Sequence, residues 1–276
     1  MSRATRNPFF WILMVALSLL FIGPILFVLL TSLKPMIEAQ SVPPTIVPET
    51  WTLRAYEQLF FIDDASPVLR WFLNSLAAAT MHAILVVTVC SLAGYALARM
   101  QFRGKNVVFA IIISTMLVPG FVFLIPNFEM LNRLAWLDSL AAIVVPGAAG
   151  AFGVFFMRQF FLKLPIEFEE SARIDGAGPL RTFVSVVLPN TRAALVTLFI
   201  ISFLANWNDF IWPIYVLFSD SNLTLPVGLS RLQGAYTIDY PVVMAGAMVA
   251  AIPVLFIYAF VQRYIIAGVA SSGLKG

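Results

Sequence analysis

The feature that most limits what this chain can fold into is a set of long apolar runs. From Phe9 to Leu33 no charged side chain occurs over about 25 residues, more than the ~20 that carry a helix across a bilayer core of about 30 Å. Further apolar stretches lie near 72–98, 107–126, 139–161, 192–218 and 242–262. No single water-soluble core holds so much: 61% of the residues are hydrophobic and only 11% charged, so the surplus apolar surface must face lipid. In lipid every backbone N–H and C=O has to be paired within the protein, and runs of this length do so as helices. The expectation is an all-α, polytopic membrane protein with six transmembrane helices in a single transmembrane domain, 1–276. Gly23-Pro24 and the run PGAAGAFG from Pro146 to Gly153 do not demote their stretches. Neighbouring helices can satisfy a broken backbone, and small residues let helices pack closely. The N-terminal run is longer than the apolar part of a signal peptide and no small-residue cleavage site follows it, so it is read as the first span.

Orientation follows from Lys and Arg, which are in excess on the cytoplasmic side. With the N-terminus inside, the inner segments hold Arg3 and Arg6, then Arg99, Arg103 and Lys105, then Arg158, Lys163, Arg173, Arg181 and Arg192, then Arg263 and Lys275. The outer segments hold only Lys34, Arg54, Arg70, Arg133 and Arg231. Both termini are therefore expected in the cytoplasm, with a loop over 162–190 and a tail over 263–276 on that side. The Pro-rich segment 34–70 and the segment 219–240 then lie outside, where such loops either meet a partner or merely connect.

Several kinds of chemistry are missing. No G-x-x-x-x-G-K-[ST] phosphate loop is present, so the chain has no recognisable means of splitting ATP. His82 and Cys90 are the only residues of their types, and eight residues of helix would hold them about 12 Å apart, too far to share a metal. His82 is better read as a hydrogen-bonded residue between helices than as a catalytic or proton-relay group. With one cysteine no intrachain disulfide forms. A transport function is expected over an enzymatic one, with no metal and no nucleic-acid partner.

One segment departs from this apolar character. EESARIDGAGPLRTFVSVVLP, Glu169 to Pro189, crowds charges around Gly176 and Gly178. Pro165 suits a first helical position, and Glu167, Glu169 and Glu170 put negative charge where the helix dipole favours it. Glu169 and Arg173 are spaced for an i, i+4 pair. Gly176 can end this helix in the left-handed conformation, and Gly178-Pro179 can start a second one running to about Val187 and stopped by Pro189. Capping alone would also produce a solvated hairpin of this kind. A first helix of about ten residues, roughly 15 Å, is the right size to enter a cleft on another protein.

The pattern E-S-A-x-x-x-G from Glu170 to Gly176, followed after nine residues by V-x-L-P from Val186 to Pro189, resembles the EAA loop of the membrane subunits of bacterial ATP-binding-cassette (ABC) importers. The family's usual form is E-A-A-x-x-x-G with I-x-L-P, so Ser171 and Val186 are mild departures. FLNSL at Phe72 to Leu76, DGAGPLRTF from Asp175, NWNDFIWP from Asn206, LTLPVGL from Leu223 and the tail GVASSGLKG are similar to the carbohydrate branch, the maltose-type permeases in particular. The resemblance implies a type I importer permease fold and a role as one membrane subunit of an ATP-driven, binding-protein-dependent importer for a sugar-like solute. It implies as partners a second homologous permease, two ATPase subunits that hold the ATP and Mg, an extracytoplasmic solute-binding protein and the lipid bilayer. It assigns ATPase coupling to Glu170, Ser171, Ala172, Asp175, Gly176, Ala177, Leu188 and Pro189, with Glu170 the ion-pair candidate and Ala172 a small contact. It also implies a tail contact with the ATPase through Ser272, Gly273, Lys275 and Gly276. The rivals are an ion-driven secondary transporter, which would more naturally show inverted repeats, and an importer permease for peptides or amino acids.

Ser202, Asn206, Asp209 and Pro213 fall at i, i+4, i+7 and i+11, one face of a continuous fifth helix, and make that face the candidate translocation pathway. Asp209 has a second reading: Trp207, Trp212 and Tyr215 look like an aromatic belt, which would place it in the wet outer interface. The topology is testable by labelling Ala177→Cys in a Cys90→Ser background. An impermeant thiol reagent should leave intact cells unlabelled and label the site once they are permeabilised, and labelling of intact cells would invert the orientation.

Overall fold

A computed structural model describes residues 8–62, 67–232 and 238–272, with backbone alone at Ile62 and from Phe260 onward. Among the described residues every regular element is helical. α1 (Pro8–Ser32) and α2 (Val68–Arg99) are continuous over the first two apolar runs. α1 is apolar all round and leaves Phe9, Leu20 and Phe21 exposed, the surface a lipid-facing helix presents.

The middle of the chain departs from straight spans. In the third run α3 (Lys105–Ser114) passes through a tight turn at Thr115–Leu117, and α4 (Leu124–Arg133) continues after a bend of 97°. Pro119 is the cause, since it has no N–H to give and holds Val118 extended. The fourth run makes only the turn Ala141–Val144 before Pro146 and Gly147, at φ +78°, break it, and α5 (Ala151–Lys163) resumes. α6 (Glu167–Ile174) belongs to the polar loop. The fifth run splits into α7 (Arg192–Trp207) and α8 (Ile211–Val216). α9 (Leu225–Arg231) and α10 (Tyr240–Ser272) complete the chain, and α10 runs past the expected end of the sixth span, so the tail begins as helix. Among the described residues, three helices are long and apolar enough to cross a membrane, or up to five if each bent pair is one span.

The helices form two compact units, one of the residues up to Phe72 with those from Leu225 onward, the other of Leu73–Thr224. In the first, α1 and α10 lie side by side. The segment after α1 is built around Lys34, which is buried although charged. Its Nζ donates to the carbonyl and, at 3.0 Å, to the hydroxyl of Thr45, which donates in turn to Glu38 Oε1 at 3.0 Å. The backbone N–H of Glu49 holds the Glu38 carboxyl below its usual range, helped by the Thr50 N–H and Thr45. In the same unit Trp71 lies flat on α9 at Gly228, where an added Cβ would come within 2.1 Å of the indole ring.

The second unit centres on α2 and α5. Cys90, Met157 and Phe161 are fully buried between them. Their close approach requires two small residues. A Cβ on Gly153 would fall 2.6 Å from Cys90 Sγ, and one on Gly94 would fall 3.0 Å from the Met157 Cβ. At the far end of α8, Asp138 accepts from the N–H groups of Phe218 (2.8 Å) and Ser219 (3.0 Å) and from the Ser219 hydroxyl. Burial raises the Asp138 carboxyl, but these donors outweigh it and leave its pKa below the ordinary value. Asn74, the asparagine of FLNSL, donates to the carbonyls of Ser221 (2.9 Å) and Leu223 (3.0 Å) and so fixes the same segment.

Replacing a helical glycine by alanine ordinarily stabilises a helix by up to about 1 kcal/mol. Gly228→Ala is expected to do the opposite and destabilise by about 1–3 kcal/mol, because the methyl has to displace a buried indole. Gly23→Ala in α1, where nothing lies within 4 Å of the added carbon, should be neutral or stabilising. Thermal unfolding of the two variants in detergent checks both.

Candidate functional site

The loop expected at 162–190 is a helix, a glycine turn and a second helical run. Pro165 lies two residues ahead of α6 and not at its first position, while Glu167, Glu169 and Glu170 do occupy the first turn. α6 closes with two paired bonds, Ala177 N–H to the Ala172 carbonyl (2.9 Å) and Gly176 N–H to the Arg173 carbonyl (3.0 Å), with Gly176 at φ +81°. This is a Schellman closure, and it accounts for the glycine. The Ser171 hydroxyl turns back to the Glu167 carbonyl at 2.8 Å. Gly178 caps Pro179, and the second run passes through a wide π turn at Phe183–Val187 to Asn190. Pro189 therefore does not stop it. It sits in the first turn after the π segment, where a missing N–H is tolerated.

The loop's side chains divide between two faces. Glu170, Ser171, Asp175, Gly176 and Pro189 are exposed, and Ala172, Ala177 and Leu188 are half-buried. Glu170 and Ile174 are i, i+4 neighbours on the outer face, and Ile174 is 87% exposed, with Leu180 beyond the turn at 69%. Apolar side chains so far out contribute nothing to the loop's own packing.

Glu169 points the other way. It is fully buried, with Oε1 2.8 Å from Arg99 Nε at the end of α2, and Oε2 accepts from the Tyr95 hydroxyl at 3.1 Å. Arg99 also donates through Nη2 to the carbonyl of Leu164, just after α5. The expected pair along the helix between Glu169 and Arg173 is thus replaced by one across elements. Nothing in local spacing announces this contact. The nearest sign is an arginine ending an apolar run, together with one more glutamate than capping of α6 requires.

The polar stripe of the fifth run is also rearranged. Ser202 is buried in α7, and Asn206 Nδ2 donates to the Ile143 carbonyl at 2.9 Å. α7 ends at Trp207, so Asp209 and Pro213 do not continue that helix face. The cause is local competition for the backbone: the Asn208 amide returns to the Leu204 carbonyl at 2.8 Å, and Asp209 Oδ1 accepts the Trp212 N–H at 3.4 Å, opening α8. Trp212 Nε1 donates to the Ala142 carbonyl (2.8 Å), and His82 Nδ1 lies 2.7 Å from the Val144 carbonyl. Three successive carbonyls ahead of the Pro146 break are each met by a different side chain. No group of three His, Cys, Asp or Glu suited to a metal occurs among the described residues. Ser272 is the last described residue, by its backbone alone, and Gly273, Lys275 and Gly276 lie outside the described residues, as do Arg3 and Arg6.

Membrane-length helices, broken interior runs and an exposed two-helix loop define a multi-pass helical membrane protein. Residues 90–271 match the family described as the binding-protein-dependent transport system inner membrane component, and the chain belongs to that family. It is 34% identical over 260 residues to the arabinooligosaccharides transport system permease protein AraQ of Bacillus subtilis (strain 168), covering 94% of this chain and 92% of that one. It is 32% identical over 240 residues to the sn-glycerol-3-phosphate transport system permease protein UgpE of Escherichia coli O1:K1 / APEC, covering 85% of each. A crystal structure of a bacterial ABC transporter involved in the import of the acidic polysaccharide alginate matches with a TM-score of 0.79 at 25% identity, over 96% of this chain and 98% of that chain.

Asn206→Leu keeps the side chain's bulk but removes the donor from the Ile143 carbonyl, and is expected to destabilise the permease by about 1–3 kcal/mol. Thermal unfolding in detergent measures it, and an unchanged midpoint would show that the bond to Ile143 contributes nothing to stability.

Proposed function

We propose that this chain forms half of a translocation pathway for a sugar or sugar derivative and receives the motion of a separate ATPase through α6 and its glycine turn. The observation that carries the reading is the outer face of the loop: Glu170, with Ile174 and Leu180 beside it, offers one carboxylate and two apolar side chains on a helix clamped from behind by Glu169. A short helix of this kind fits a cleft with a basic residue at its rim. Asp175, Gly176 and Ala177 set the turn behind it, while Ser171, Ala172, Leu188 and Pro189 frame the docked surface. The partners under this reading are two ATPase subunits holding ATP and Mg, a second homologous permease, an extracytoplasmic solute-binding protein and the surrounding bilayer. The tail residues Ser272, Gly273, Lys275 and Gly276 add a further contact with the ATPase pair.

In operation, ATP binding closes the ATPase pair, the two coupling helices are carried together, and the helix bundles rock to present the pathway to the binding protein. The pathway under this reading runs past Asn206 and Asp209, on either side of the break that ends α7, with Ser202 buried one turn before Asn206. Irregular backbone at membrane depth is tolerated where it is buried in protein or borders a water-filled cavity, and the breaks at 145–150 and 208–210 meet around Asn206 and Trp212. The substrates named for the relatives, arabinooligosaccharides, glycerol-3-phosphate and alginate, share a hydroxyl-rich skeleton, which supports the solute class.

The test is Glu170→Ala in the complete transporter in proteoliposomes. The ATPase should still co-purify, while import per ATP hydrolysed falls about tenfold, the size of a lost coupling interaction. Import at the parent ratio would remove Glu170 from coupling.

A further inference from the structure

We propose that Tyr95, Arg99 and Glu169 form the joint through which the displaced loop moves the membrane helix α2, an inference that rests on the coupling role assigned above. A buried carboxylate is costly unless it is paired, and α6 has no need of this one, because Glu167 and Glu170 already place negative charge at its start. Its burial is explained by what it joins. Arg99 stands in the last turn of α2, only a tenth exposed, with Nε against Glu169 and Nη2 on the Leu164 carbonyl, so one guanidinium ties α2 to both the end of α5 and the start of the loop. Tyr95 stands one turn earlier. Its hydroxyl donates to Glu169, while its ring packs 4.8 Å from that of Phe183, in the second limb of the loop, and 6.0 Å from that of Phe161 in α5.

Both limbs of the loop are therefore attached to the last two turns of α2. The Gly176 turn lies between two anchored points, so a push on the Glu170 and Ile174 face is not absorbed by flexing of the turn alone. It has to displace the end of α2. Other cations fasten that end as well: Lys105 Nζ donates to the carbonyls of Ala98 (3.1 Å) and Met100 (3.0 Å), and Arg158 Nε to that of Leu97 (3.2 Å). Tyr95, Arg99 and Glu169 are positioning residues: they act on transport through the helix they hold and not through contact with the solute.

The experiment uses the complete transporter in proteoliposomes, with its ATPase, second permease and binding protein, and compares Glu169→Gln, Tyr95→Phe and Glu170→Ala. Co-purification of the ATPase reports assembly, and solute imported per ATP hydrolysed by the assembled fraction reports coupling. Glu169→Gln is expected to assemble and hydrolyse ATP while that ratio falls about tenfold, and Tyr95→Phe, which keeps the ring, should assemble fully and lose about two- to fivefold. The inference is overturned if Glu170→Ala lowers the ratio and Tyr95→Phe leaves it at the parent value. It is overturned equally if Glu169→Gln reduces assembly alone, with the assembled fraction coupling normally, since the network would then be structural only. A parent ratio in Glu170→Ala, by contrast, removes the underlying coupling assignment and this inference with it.

Discussion

In a chain surrounded by lipid, a carbonyl freed from its helix has no water to accept from, and the broken interior runs of this protein depend on side chains that reach across to supply the missing donors. Around Pro146 the supply is complete for three consecutive carbonyls: Trp212 serves Ala142, Asn206 serves Ile143 and His82 serves Val144. The next stretch is served more weakly, by the Cys90 thiol at 3.7 Å from the carbonyls of Ala148 and Gly150. Asn74 does the same for the segment after α8. The few polar residues of the apolar runs are thus spent mainly on backbone. This lets helices bend in mid-run without exposing unpaired groups, and it ties each bend to a residue on another element.

How much of this was legible in the sequence differs element by element. The run from Phe9 to Leu33 and the helix through His82 and Cys90 could be read from apolar length alone, because burial in lipid makes length and hydrophobicity sufficient evidence. The loop could also be read closely. Its glycine is required by a left-handed backbone and its acidic first turn by the dipole, both of which are local effects. The interior runs could not, because a proline in an apolar stretch signals a break only when tertiary partners for the freed carbonyls are known. Reading 192–218 as one helix places Asp209 on a continuous stripe, whereas Asn208 and Asp209 take up backbone groups and the helix ends at Trp207, two residues before Asp209. Glu169 was misread for a related reason. An i, i+4 spacing with Arg173 is visible in the sequence, but an arginine 70 positions earlier on the same side of the bundle is not.

Adjacent glutamates with opposite environments give the loop its logic. Successive residues on a helix point about 100° apart, and here that step carries Glu169 into the bundle and leaves Glu170 outside it. A single carboxylate could anchor the helix or face outward, but a group buried against Arg99 and Tyr95 is out of reach of a cation in the surrounding water. Two successive carboxylates separate the tasks. One is held at low exposure, where its pairing is little screened by salt, and the other is left in water, where the coupling contact proposed for it would be weak enough to be made and released. The inner contact and the exposure of the outer carboxylate both follow from where the helix turns each residue, so the arrangement rests on the positions of the two residues along the helix more than on their number.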